Sequence, residues 1–337
     1  MKPILWRLPI DVPAFGPLEI YSYFALLTVG FACAAILSVR DARRQGLDPD
    51  RVLDLNIWMV VWGVIGARAL HVIADGHLHE YVSLCLDPGA VEAVDARVMR
   101  CVSDVTCSLG KYATATGLVD YQCDPVRHVC FPPRDCLVIF KIWRGGLAYY
   151  GGFLFATAFG LYYLRRHRLP MWKITDLAGY GIALGLFFGR MGCYLNGCCF
   201  GKPTHGFLAA QFPGRGAAWR AQVDAGLIPA GAPEALPVHP TQLYEALGCL
   251  GIFAFLYFWL RPRKRFDGQI FFSFLLLYAV LRSALEALRA DDRGVLWSVL
   301  STSQLISLPL IVLAVLMLRR LGRRTAADVA MPSESPR

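Results

Sequence analysis

At 337 residues, 56% of them hydrophobic and with a mean hydropathy of +0.45, the chain is too apolar for an ordinary soluble domain. Its formal charge of +9 would suit a nucleic-acid partner, but no nucleic-acid motif accompanies it. Basic residues gathered at the ends of apolar runs are instead a topology signal, and they suit an anionic lipid surface.

Residues 1–18 are an apolar scatter broken by Pro3, Pro9, Pro13 and Pro17, too interrupted to span a bilayer. No small-residue cleavage site follows the first apolar run, so the first helix is expected to be retained. Runs of about 20 apolar residues, long enough to cross the hydrocarbon core, are predicted over 20–39, 52–74, 147–164, the stretch beginning at Gly181, 243–260, 269–288 and 296–318. Residues 40–51, 165–173, 261–267 and 319–337 carry four, four, four and five Lys or Arg, and they fall on one side of such an arrangement. The positive-inside rule then puts the C-terminus in the cytoplasm and the N-terminus outside. The predicted fold class is an all-α polytopic membrane protein of about seven transmembrane helices. Its parts are an N-terminal membrane segment (1–74), an extracytoplasmic insertion (75–142), a membrane core (143–320) and a disordered cytoplasmic tail (321–337).

The insertion holds Cys85, Cys101, Cys107, Cys123, Cys130 and Cys136, six of the eleven cysteines. An even count in an oxidising compartment reads as a disulfide framework whose pairing the sequence leaves open. No CxxC pair supports a metal there.

The membrane core is organised around GIALGLFFGRMGCYLNGCCFGK, residues 181–202. Gly181, Gly185 and Gly189 recur every fourth residue and predict a face that a neighbouring helix can approach closely. Arg190 follows directly. Arg68, Arg190 and Arg282 all lie inside predicted spans, where an arginine costs about 2.5–3.5 kcal/mol at mid-helix and less where it can snorkel. Arg282, Glu286 and Arg289 fall at i, i+4 and i+7, on one helix face. Glu286 can pair with either arginine, which leaves one positive charge over. That set is either a self-neutralised structural network or a site for a phosphodiester, whose oxygens match guanidinium forks.

The loop 197–238 opens with Cys198-Cys199, adjacent thiols that can be buried apolar-like residues, metal ligands or reactive groups. No His or Asp stands near them at ligand spacing, and no metal is expected. The loop closes at Val238-His239-Pro240-Thr241-Gln242-Leu243-Tyr244-Glu245. Pro240 suits a first helical turn, which places His239, Tyr244 and Glu245 at the membrane depth of Arg190. His239 there is a helix-end cap or a proton acceptor.

These residues resemble the prolipoprotein diacylglyceryl transferase family over nearly all of the chain outside the cysteine-rich insertion. The signature (Gly-Arg, a spacer, Gly, Asn, an aromatic, an aliphatic, Asn, a spacer, Glu, two spacers, Gly) is similar to Gly189-Arg190-Met191-Gly192-Cys193-Tyr194-Leu195-Asn196-Gly197-Cys198-Cys199-Phe200-Gly201. Cys193 stands where the family has Asn, and Cys198 where it has Glu. Tyr23, Arg68 in a GxxGxR pattern, the WRGGLAYYGG segment at 143–152, the 239–245 segment and the 282/286/289 set also fit. Tyr150 stands where the family often carries a His proposed as general base; an unperturbed tyrosine titrates at about pH 10.

The resemblance implies an inner-membrane enzyme, active on its outer face. It would move the diacylglyceryl group of phosphatidylglycerol to the lipobox cysteine thiol of a preprolipoprotein, with glycerol phosphate leaving. It also implies that Arg190 and Arg282 hold the phosphate, Glu286 and Arg289 position that clamp, and His239 or Tyr150 takes the proton. Tyr23, Arg68, Gly151, Asn196, Gly201, Tyr244 and Glu245 would line the substrate face, and no cofactor is required. Cys193, Cys198 and Tyr150 also fit an alternative, a catalytically altered relative that binds phospholipid or lipoprotein precursors. A transporter fits less well, because there is no internal repeat and the charges gather at one face.

Overall fold

The computed structural model describes residues 4–12, 16–74, 147–214, 216–229, 231–290 and 300–330, with isolated short stretches at 78, 82, 86, 94–95, 122–124, 129–131, 140 and 295–296. The chain forms two compact units. The larger comprises 1–53 and 170–337; the smaller comprises 54–169. The protein is mostly helical. Among the described residues, five helices are long and apolar enough to cross a membrane: Ser22–Arg44, Pro49–Ile73, Thr241–Arg263, Gln269–Glu286 and Ser303–Arg324.

The first departure from an all-helical reading is an N-terminal hairpin, β1 (Ile4–Val12) with β2 (Gly16–Tyr21), paired antiparallel. Its register shifts between Arg7 and Asp11, where Pro9 has no N–H to give the ladder. Helix α1 (Ser22–Arg44) follows at once. Gly46, at φ +69°, lets the chain reverse, and Leu47 N–H returns to the Ala42 carbonyl at 2.9 Å. Asp48 then caps α2 (Pro49–Ala74), accepting the Asp50 amide at 3.0 Å. Proline occupies the first helical position, where its missing donor costs nothing.

In the smaller unit, the rest of α2 packs on α3 (Tyr149–Arg166) through glycines. A Cβ built on Gly152 would lie 3.0 Å from the Gly63 carbonyl oxygen, and one on Gly151 would run into the Gly66 carbonyl and the Leu70 Cβ. The Ala148 amide donates to the Ala67 carbonyl across the same contact at 2.9 Å. Gly151 is therefore a close-packing residue of the α2–α3 contact. Three short strands, β3 (Val94–Asp95), β4 (Gln122–Asp124) and β5 (Val129–Phe131), form a sheet in the order β3-β5-β4. Cys123 pairs with Cys130 in its backbone register. Cys85, Cys101, Cys107 and Cys136 lie outside the described residues, as do the side chains of Cys123 and Cys130. The described Cys33, Cys193, Cys198, Cys199 and Cys249 are free thiols.

The larger unit is built on α4 (Met171–Asn196). This helix packs against α1, against α6 (Thr241–Ala254, extended by a π-turn over Phe255–Leu260 and a tight turn over Arg261–Arg263) and against α7 (Gln269–Glu286). A small helix, α5 (Ala217–Asp224), lies in the loop before α6. The final helix, α8 (Thr302–Ala330), packs on α7. It begins later than predicted because two short strands precede it, β6 (Val295–Leu296) paired antiparallel with β7 (Leu300–Ser301), and it continues into the segment expected to be a disordered tail.

The glycine stripe is used only in part. Gly181 meets Ala34 of α1, but a Cβ on Gly185 or Gly189 would meet nothing within 4 Å among the described residues. Close approaches of α1 to α4 fall instead at Gly192, where a Cβ would lie 3.1 Å from the Tyr23 Cα, and at Gly30, where one would lie 2.9 Å from the Phe188 Cβ.

At the other end of α4, two buried carboxylates bind the bundle together. Asp41 of α1 accepts from the Tyr180 hydroxyl at 3.0 Å and pairs with Arg261. Asp176, 1% exposed, serves a helix it does not belong to. Gly268, at φ +92°, precedes α7 without a side chain to cap it. Asp176 supplies the acceptors, taking the Gly268 amide at 2.9 Å, the Phe271 amide at 3.0 Å and Lys264 Nζ at 3.1 Å. Removing one partner of such a buried cluster orphans the rest. Asp176→Ala is expected to lower stability by about 3–5 kcal/mol, with Asp176→Asn milder because an amide oxygen still accepts. Thermal unfolding in detergent reads the difference, and an unchanged midpoint for Asp176→Ala refutes the capping role.

Candidate active site

The site forms where the C-terminal end of α4, the N-terminal end of α6 and the C-terminal end of α7 meet. Gly197 ends α4 in the left-handed region, at φ +75°, with Cys198 N–H returning to the Cys193 carbonyl at 3.1 Å. This closure turns the chain sharply. It also brings Cys193, on the last turn of α4, back against Cys198 and Cys199, and the three thiol sulfurs lie within 4.8 Å of one another. Cys199 itself sits at φ +60°, a conformation that costs a non-glycine residue about 1–3 kcal/mol and that gathers at functional sites. Hydrogen bonds from the Cys193 and then the Cys198 thiol, with the charges of Arg190 and Arg289, hold the Cys199 thiol well below the usual thiol range.

The cysteine loop is fastened to α6 and to the segment after α7. Thr241 Oγ1 donates to the Cys199 carbonyl at 2.9 Å, and Gln242 Nε2 to the Cys198 carbonyl at 2.7 Å. Gly201 N–H donates to the His239 carbonyl at 2.9 Å, Lys202 N–H to the Leu288 carbonyl at 2.8 Å, and Gly201 bridges to Arg289. A Cβ on Gly201 would come within 2.5 Å of the Leu288 carbonyl oxygen and 2.8 Å of the His239 Cβ. Gly201 thus closes three backbone segments together.

Arginine–glutamate pairs define the electrostatics. Glu245, 1% exposed, takes Arg190 on Oε1 at 3.0 Å and Arg289 on Oε2 at 3.8 Å. The Tyr278 hydroxyl donates to the same Oε1 at 2.9 Å. Arg282 pairs with Glu286 at 3.1 Å, in ion-pair rather than hydrogen-bond alignment, and donates from Nη2 to Ser303 of α8 at 2.9 Å. Its Nη1 is buried and makes no hydrogen bond among the described residues. Among the described residues, these three guanidiniums gather around two carboxylates.

The predicted set is brought together in part. Arg190, Glu245, Arg282, Glu286 and Arg289 assemble, but the partnerships differ from the expected face. The helix stops at Glu286, so Arg289 lies beyond it on the bridge to Gly201 and pairs with Glu245. Glu245 is a buried counter-ion at the depth of Arg190. Tyr23 reaches the site through Gly192. Asn196 is exposed at the end of α4, beside the Cys198 thiol. His239 Nδ1 lies 3.5 Å from the Tyr244 hydroxyl, with its backbone tied to Gly201 and Lys202. Arg68, Tyr150 and Gly151 belong to the smaller unit. There Arg68 is 9% exposed and Tyr150 is 55% exposed.

Several functional-looking residues escape a reading of the sequence. Tyr278 is one turn before Arg282, and that i, i+4 relation is the available signal. His71, buried at 6% exposure, follows Arg68 by one turn of α2. The loop 197–238 has its own small core of Phe212, Ala218, Ala235 and Val238, to which Trp219 adds a hydrogen bond to the Ala232 carbonyl at 2.8 Å. No periodicity announces that core.

A family model described as prolipoprotein diacylglyceryl transferase matches residues 10–95 and 109–320. Among similar proteins, a phosphatidylglycerol–prolipoprotein diacylglyceryl transferase of Thermus thermophilus is 31% identical over 93% of this chain and 98% of its own. One of Clostridium tetani is 26% identical over 94% and 96%, and one of Xylella fastidiosa 33% identical over 55% and 66%. With a buried arginine cluster at a helix end and a match along most of its length, the chain belongs to the prolipoprotein diacylglyceryl transferase family.

Proposed function

We propose that this protein transfers the diacylglyceryl group of phosphatidylglycerol to the cysteine thiol of a prolipoprotein, forming a thioether and releasing glycerol phosphate. Membership of the family supports the reaction. The observation that carries the site is the cluster of Arg190, Arg282 and Arg289 around Glu245 and Glu286, with Arg282 Nη1 buried and without a hydrogen bond among the described residues. A buried guanidinium donor so placed suits an anionic phosphodiester, and guanidinium forks bind phosphate in two-pronged fashion.

In this reading Arg190 and Arg282 receive the phosphate. As the carbon–oxygen bond to the diacylglyceryl group breaks, charge builds on the departing glycerol phosphate, and fixed cations in a dry site stabilise it. Glu245 and Glu286 aim the guanidiniums, and Arg289 shares Glu245. The substrate thiol attacks as thiolate. His239, Tyr244, Asn196 and Tyr23 line the same end of the larger unit, while Arg68 and Tyr150 are assigned to the substrate side on their motif match alone. The membrane arrangement that suits the basic clusters has seven spans, with α3 and α4 added to the five most apolar helices. The N-terminus and the active end then face outward from the bacterial inner membrane, and the lipobox segment arrives as part of a signal peptide.

The test is transfer of labelled diacylglyceryl from phosphatidylglycerol vesicles to a lipobox peptide by purified protein, with a cysteine-to-serine peptide as blank. Product with the cysteine peptide alone is expected. Arg282→Lys is expected to lose about 10²–10³ in rate, because a single ammonium nitrogen cannot reproduce the planar fork that meets Glu286 and Ser303 through Nη2 and keeps Nη1 for a phosphate oxygen. Full activity of that variant would make Arg282 purely structural.

A further inference from the structure

Cys193, Cys198 and Cys199 have no part in the phosphate-binding cluster, yet the fold brings them together at some expense. Cys199 adopts a left-handed backbone. Side chains of α6, Thr241 and Gln242, each 1% exposed, clamp the carbonyls of Cys199 and Cys198. Cys193 is buried on a helix, and its carbonyl is tied to the Cys198 amide. The loop thus holds three sulfurs within 4.8 Å of one another in a fixed frame. Zinc–thiolate bonds of about 2.3 Å set ligand sulfurs about 3.8 Å apart around a tetrahedral ion. Contraction by about 1 Å at most converts the cluster to that geometry.

We propose that these three cysteines bind a thiophilic cation of the zinc type, with its fourth coordination position open. Soft thiolate donors select such ions over magnesium or calcium. Three protein ligands with one vacant position are the arrangement of a catalytic rather than a structural zinc. The position of the cluster suggests what fills the vacancy. Cys193 is one turn beyond Arg190, and Gln242, which holds the Cys198 carbonyl, is one turn before Glu245, the partner of Arg190.

Resting on the transferase reading above, the incoming group is the prolipoprotein thiol. On binding the ion, that thiol gives its proton to water, because a thiol coordinated to zinc is deprotonated outright. Its sulfur then attacks the terminal glyceryl carbon, a carbon–sulfur bond forms, and the carbon–oxygen bond to phosphate breaks. The bonding pair leaves with glycerol phosphate. No oxidant or reductant enters, and the site supplies thiolate without a general base.

The experiment uses the full chain purified in detergent and, in parallel, reconstituted with Co²⁺ in place of zinc. Elemental analysis is expected to give about one zinc per chain, falling at least about tenfold in Cys193→Ser and in Cys199→Ser. Cys249→Ser, a buried thiol outside the cluster, is expected to keep its metal. If a cluster variant does not fold, the wild-type cobalt protein still decides, because three thiolates give an intense near-ultraviolet sulfur-to-cobalt band. A lipobox peptide with cysteine, but not its serine analogue, is expected to strengthen and shift that band. Wild-type protein that carries no zinc and shows no such band with Co²⁺ overturns the site. A band indifferent to the cysteine peptide overturns the thiol-activating role. A band that responds to the peptide without any diacylglyceryl transfer supports the thiol site and counts against the transferase reading instead.

Discussion

Glu245→Ala is expected both to abolish transfer and to lower the yield of folded protein. The side chain is 1% exposed and receives Arg190, Arg289 and the Tyr278 hydroxyl. Its removal leaves two guanidiniums near one another with their common counter-charge gone. Taking one partner from a buried ion pair costs about 3–5 kcal/mol because the remaining charge is left uncompensated. Here one deletion strands two charges, so the upper end of that range applies, comparable to a third or more of a typical domain's stability. Glu245→Gln separates the two effects. It keeps an oxygen for Tyr278 and Arg190 but not the negative charge, so the protein folds while its transfer rate falls. Thermal unfolding in detergent and the transfer assay together read both variants. Wild-type behaviour of Glu245→Ala in both would remove Glu245 from the centre of the site.

Arg190→Ala is the complementary case, with a catalytic loss that exceeds its structural one. When Arg190 goes, Glu245 still holds Arg289 and Tyr278, so no buried carboxylate is orphaned. Transfer should fall by about 10²–10³ or more, the range for removing one preorganised group that stabilises transition-state charge. The loss should appear mainly in kcat, since the extra charge on the leaving phosphate exists only as the bond breaks. Turnover near wild type would place phosphate binding elsewhere.

The helices and the arginines are legible in the sequence; their partnerships are not. An apolar run of bilayer length is rarely needed except to cross a bilayer, so α1, α2, α6 and α7 fall close to their predicted ranges. Arg190 and Arg282 stand out because lipid tolerates few charges. The spacing of Glu286 offers it either Arg282 or Arg289, and the fold gives it Arg282. Arg289 is expected on the same helix because nothing in Ala287-Leu288 signals a stop. What ends that helix is a long-range bridge to Gly201, which local pattern cannot reveal. The glycine stripe fails for a similar reason. Spacing marks a face, but which helix covers it depends on the whole bundle, and Gly192 takes the close contact that Gly185 and Gly189 are expected to make. The thiol cluster is visible as Cys198-Cys199 and as a family departure at Cys193. Only the left-handed turn at Gly197 joins them.

The two ionic knots on α4 also set a length. Asp176 and Arg190 are separated by a rigid stretch of helix about 21 Å long, while the hydrocarbon layer of a typical bilayer is about 30 Å thick. In the seven-span arrangement proposed above, with Lys264 and Asp267 around Asp176 at one water boundary, Arg190 would stand several ångströms below the other. Lipid flanking the helix would then thin to meet it, a hydrophobic mismatch whose energy is a fraction of a kcal/mol per ångström. Such a dip would bring a phospholipid's phosphate down toward the arginine while its acyl chains stay among their neighbours.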